Sequence, residues 1–106
     1  MTKRKKSGKK EVQDQEAMFS SRVTAAIQSH DPEILQMDGF SLAFIGIEET
    51  CGQPARAVYS YERMVELLVE RDGLTYEDAV EYVEYNCVGA YVGPRTPAIV
   101  RNVLIN

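Results

Sequence analysis

The sequence predicts a small α+β domain with an N-terminal helix, a β-hairpin, two amphipathic helices and a short C-terminal strand. Three observations carry that expectation. The apolar residues change period from helical to alternating and back along the chain. Turn-forming clusters fall between those segments, and two helices open on hydroxyl caps. The 106 residues are 44% apolar and 26% charged, an ordinary globular balance for one domain.

Each element follows from local chemistry. A leader of residues 1–10 has no apolar side chain after Met1 and repels itself, so a mobile basic tail is expected. Residues 11–31 hold the N-terminal helix, with Val12, Met18, Val23, Ala26 and Ile27 at helical spacing as far as Gln28. His30, Asp31 and Pro32 stop it, because a residue before proline avoids the helical region. The α+β domain then occupies residues 32–106. Phe40 to Glu49 places Phe40, Leu42 and Phe44 on one face of a strand, and Ala55 to Tyr59 supplies its partner. Thr50 to Pro54 makes the hairpin loop of four or five residues.

Ser60 is a suitable N-cap for a helix from Tyr61 to Arg71 that turns Met64, Val65, Leu67 and Leu68 inward, and Gly73 suits the left-handed position beyond it. Thr75 with Asp78 opens the next helix as a capping pair. Tyr76, Ala79, Val80, Val83 and Cys87 form its apolar stripe, and it should end between Asn86 and Gly89. The run from Ala98 to Ile105 reads as a strand that Asn102 interrupts.

Charge is divided sharply along the chain. Lys3, Arg4, Lys5, Lys6, Lys9 and Lys10 give the leader a formal charge of about +6, and the total is −4. The remainder therefore carries about −10, with sixteen carboxylates and no lysine. Lysine-dependent chemistry, from phosphate loops to Schiff bases, is thereby excluded from the body. His30 is the single histidine, and Cys51 and Cys87 lack metal-binding spacing. No cofactor, metal site or catalytic residue is expected. Two cysteines without a signal sequence read as free thiols, Cys87 in the core and Cys51 in a turn.

The carboxylates offer a binding face instead. Glu62, Glu66 and Glu70 recur every fourth residue on one helix, and Glu77, Asp78, Glu81 and Glu84 cover the outer side of the next. Like charges at that spacing repel by a few tenths of a kcal/mol, so helix stability does not call for them. A solvated surface accounts for them, and so does a face that imitates phosphate rows and meets a basic groove. Tyr82, Tyr85 and Tyr91 are the aromatic anchors expected beside it.

Several runs resemble a group of small proteins of tailed bacteriophages and bacterial genomes. They are Asp38-Gly39-Phe40, Phe44-Ile45-Gly46-Ile47, Cys51-Gly52-Gln53, Val58-Tyr59, Met64 to Leu68, Asp72 to Ala79, Glu81-Tyr82-Val83-Glu84-Tyr85-Asn86, Val88 to Gly93 and Thr96-Pro97. In that group the loop holding Pro94-Arg95 is often more acidic or richer in glycine. The resemblance implies a phage-related origin and brings no established activity.

The expected function is thus a non-enzymatic, phage-encoded interaction protein whose acidic, tyrosine-bearing helices engage a host or phage protein. The alternative is a nucleic-acid-associated or virion structural component that uses the basic arm, since clustered cations bind phosphate nonspecifically. Either fits the host cytoplasm, or the virion for the second, without membrane insertion. Oligomeric state is left open.

Overall fold

A computed structural model describes the backbone of residues 2–104 and the side chains of residues 10–104. It is an α+β domain, ordered α1 (Thr2–His30), a 3-10 turn (Ser41–Ala43), β1 (Phe44–Glu48), β2 (Arg56–Ser60), α2 (Tyr61–Asp72), α3 (Tyr76–Val83), a π turn (Glu84–Val88) and β3 (Ala98–Val100). The three strands lie in the order β1-β2-β3. β1 and β2 pair antiparallel as a hairpin, while β3 pairs parallel to β2. A parallel neighbour needs a long crossover, and α2 with α3 supplies it.

α1 runs continuously through the leader and the expected helix. The mobility and the contacts expected of Lys3, Arg4, Lys5, Lys6 and Lys9 concern side chains outside the described residues. Lys10 is described, and it is exposed. The buried face of α1 departs from expectation. It comprises Val12, Glu16, Phe19, Val23 and Ile27, whereas Met18 and Ala26 face solvent. These residues follow a rotation of about 100° per residue more faithfully than the looser spacing of the expected set.

The first part of the expected strand is a 3-10 turn. Ala43 N–H donates to Phe40 O at 2.9 Å, so the chain coils before it extends at Phe44. Within the hairpin, Phe44 faces Tyr59 and Gly46 faces Val58, which leaves Ile45 as an extra residue, a β-bulge on the edge strand. The loop runs over residues 49–55 and is longer than expected. Its base is fixed by a cross-strand pair in which Arg56 Nε and Nη2 donate to the Glu48 carboxylate at 2.8 and 3.1 Å. That pair holds the Glu48 carboxyl below its ordinary value.

The helix boundaries follow the predicted caps. Ser60 Oγ accepts from Arg63 N–H at 3.2 Å and Thr75 Oγ1 from Asp78 N–H at 3.1 Å. Gly73 closes α2 at φ +72°, where any side chain would be strained. α3 widens into the π turn at its end, with Gly89 N–H donating to Glu84 O at 3.0 Å. A Cβ on Gly89 would sit 3.2 Å from that same oxygen, so the glycine permits the closure.

The core gathers Val23 and Ile27 of α1, Ile34, Phe40, Ala43, Ala57 and Tyr59, Met64, Val65, Leu67 and Leu68 of α2, and Ala79, Val83 and Cys87. The expected inward residues of α2 are therefore all buried. Tyr76 is the exception on α3, being 67% exposed at the first residue of the helix. β3 is shorter than the predicted run, and Val103 and Leu104 stand in solvent. Among the described residues, no helix is long and apolar enough to cross a membrane.

Candidate functional site: two acidic surfaces

The predicted acidic face divides into two. α2 presents Glu62, Glu66 and Glu70 along a groove of about 610 Å³ whose apolar lining is Tyr61, Val65, Val69 and Tyr76, with Arg101 and Asn102 also against it. The three carboxylates lie along about 12 Å of helix, eight residues at 1.5 Å rise. Glu66 pairs with Arg63 at 2.7 Å, and Glu62 accepts from Asn102 N–H at 3.2 Å. Exposed pairs of this kind contribute little to stability.

α3 and the π turn that extends it, which carries Tyr85, present the second surface. Asp78, Glu81, Tyr82 and Tyr85 recur at i, i+3, i+4 and i+7, the spacing of one helical face. All four are exposed, with Tyr82 at 44% and Tyr85 at 76%. Glu77 is exposed beside them in the first turn, where a carboxylate meets the positive helix end. Among the described residues, Glu70, Glu77, Asp78 and Glu81 form no ion pair.

Glu84 belongs to neither surface as expected. It is half-buried at the start of the π turn, where it accepts from the Tyr61 hydroxyl at 2.9 Å and pairs with Arg101. Arg101 in turn lies 4.0 Å above the Tyr61 ring. Burial and the hydrogen bond to Glu84 raise the Tyr61 hydroxyl above its ordinary value. This triad joins the end of β3 to both helices, so Glu84 is a structural residue.

Tyr91 is likewise separate. It lines a recess of about 480 Å³ with Glu48, Gln53, Arg56 and Pro94, beside the hairpin loop. The neighbouring Arg95 donates to Asp31 Oδ2 at 3.1 Å and to Ala55 O at 3.3 Å, tying this loop to the end of α1. The backbone N–H of Glu33 and then Arg95 lower the Asp31 carboxyl. Asp72 pairs with Arg71, and Asn86 Nδ2 donates to Tyr82 O at 3.2 Å.

Sequence reasoning missed three contributors. Tyr61 and Arg101 gave no signal, since their meeting depends on the β3 crossover. Glu16 did give one, because it lies four residues after Val12 and seven before Val23, a charge on an apolar stripe.

Among the described residues, no group of three or more His, Cys, Asp or Glu side chains is placed to hold a metal ion. His30 Nε2 lies 2.9 Å from Glu49 in an exposed pair. Both cysteines are free, Cys51 exposed and Cys87 buried. Burial raises the Cys87 thiol. Iodoacetamide at pH 8 is therefore expected to modify Cys51 at least about tenfold faster than Cys87, read by peptide mass spectrometry. Equal rates in the folded protein would show that the α3 end opens readily.

Comparison with family models, with curated proteins and with solved structures finds no match for this chain.

Proposed function

We propose that this chain is a non-enzymatic interaction protein that engages a host or phage protein through the outer face of α3. The observation that supports it is the exposure of Tyr82 and Tyr85 beside Asp78 and Glu81. Two large, partly exposed rings opposite the buried Ala79 and Val83 cost apolar hydration, and a partner surface removes that cost. Tyrosine suits the role because its ring buries much area while its hydroxyl keeps a polar partner. The adjacent carboxylates add charge steering toward a basic surface. The phage setting rests on the sequence resemblance and the acidic face on the helix geometry, so each can fail without the other.

The test is affinity capture from bacterial lysate with the intact chain and with two double variants, Tyr82→Ala/Tyr85→Ala and Asp78→Lys/Glu81→Lys. Retention of a defined partner should fall by about tenfold or more in both. These residues are exposed, so circular dichroism should report an intact fold in both, with the thermal midpoint lowered by at most a few degrees in Asp78→Lys/Glu81→Lys because Asp78 lies in the first turn of α3. Undiminished capture by both variants removes the α3 face from the account.

A further inference from the structure

The groove on α2 is a second surface of different character, and the protein shows what its lining accepts. At one end the Arg101 guanidinium stacks on Tyr61 and pairs with Glu84, a cation held between an aromatic ring and a carboxylate. The rest of the groove repeats those elements with Tyr76 and with Glu66 and Glu70, around the aliphatic side chains of Val65 and Val69. Val69 is 37% exposed although it lies on the groove floor, and Glu70 forms no ion pair among the described residues. From these features we infer that the groove binds a basic amphipathic peptide segment. An arginine or lysine would lie on Tyr76 opposite Glu66 and Glu70, and an adjacent apolar side chain would rest on Val65 and Val69.

The charge and the floor together select this occupant. A purely apolar segment would bury the Glu70 carboxylate without a counter-charge, which is costly, whereas Glu66 already pairs with Arg63. A basic segment without apolar side chains, such as residues 2–10 of a second copy, leaves the aliphatic floor wet. Residues on an extended chain that point the same way are about 6.6 Å apart, close to the roughly 6 Å rise between successive glutamates of α2, so cations at alternate positions can match the rim. The inference is independent of the α3 face, because none of Asp78, Glu81, Tyr82 and Tyr85 lines the groove.

The experiment titrates the full-length protein with three synthetic peptides of equal length, followed by amide chemical shifts. One alternates arginine and leucine, one alternates arginine and serine, and one copies residues 2–10 of this chain. The arginine–leucine peptide should bind at least about tenfold more tightly than the other two, with shifts centred on Val65, Val69 and Tyr76. Its affinity should fall with added salt. Tyr76→Ala and Glu70→Lys should each weaken it by about fivefold or more, with unchanged helix content. Asp78→Lys/Glu81→Lys should leave its binding through the groove in place, which separates this inference from the proposed function.

Shifts centred on α3, or affinity indifferent to Tyr76→Ala and Glu70→Lys, would overturn the inference. Equal binding of the arginine–serine peptide would overturn the role of the aliphatic floor. Preferential binding of the residue 2–10 peptide would assign the groove to a second copy of this chain instead.

Discussion

Glu16→Ala is expected to destabilise the domain by about 3 kcal/mol, because it leaves two backbone donors without their acceptor. The Glu16 carboxylate accepts from Ser41 N–H at 2.7 Å and from Leu42 N–H at 3.0 Å. These are the first N–H groups of the 3-10 turn, which no preceding carbonyl within the turn can satisfy. Phe40, in the cap position, has no side chain that can accept them. A carboxylate from α1 therefore supplies the cap that the local sequence lacks, and it locks the helix to the start of the hairpin.

Each buried donor left unpaired costs about 1–3 kcal/mol, and the missing side chain adds a small cavity. In a domain of this size about 3 kcal/mol lowers the melting temperature by roughly 12–24 °C. Glu16→Gln should lose about half as much, since its amide offers one acceptor oxygen where the carboxylate offers two. Urea titration measures both, and amide exchange at Ser41 and Leu42 should accelerate in the same order. A Glu16→Ala protein within about 0.5 kcal/mol of the parent would mean that water reaches both donors and that the link is dispensable.

That residue also shows where the sequence was legible. Ser60, Gly73 and Thr75 act within one turn of their own positions, so the cap chemistry located α2 and α3. The inward set of α2 was legible for the same reason, its periodicity being a local property. Glu16 meets its partners across 25 residues, and no local rule says what a charge on an apolar stripe will find. The carboxylates followed the same division. Spacing placed Glu62, Glu66 and Glu70 on one face, but the return of β3 brought Arg101 to Glu84 and engaged that carboxylate within the fold. Tyr76 was placed on the stripe by its period. It sits in the first turn, though, where the packed neighbours that would cover it are fewer.

Tyr59→Ala should cost about 4 kcal/mol, close to the whole stability of a small domain. Tyr59 is one of the largest fully buried side chains, and its ring meets Phe44 edge-on with centroids 5.7 Å apart. Its hydroxyl oxygen accepts from Met37 N–H at 2.9 Å, so one side chain joins β2, β1 and the connector after α1. Tyr59→Phe separates the two contributions, because it keeps the ring and leaves Met37 N–H unpaired for about 1–2 kcal/mol.

The same substitution has a signature in alkali. Burial pushes the Tyr59 hydroxyl above its ordinary value of 10.0, outweighing the Met37 N–H bond that favours the phenolate. A group held neutral in the fold contributes stability that is complete below the unfolded value and is lost as pH rises toward the folded one. The parent should therefore weaken above about pH 10, and Tyr59→Phe should weaken less steeply. Tyr61 is raised as well, by burial and by donating to Glu84, so the slope that persists in Tyr59→Phe belongs in part to that second hydroxyl. Denaturant titrations of the parent, Tyr59→Phe and Tyr61→Phe from pH 8 to about pH 11 divide the two, and identical slopes in all three would show that neither ring is shielded from water.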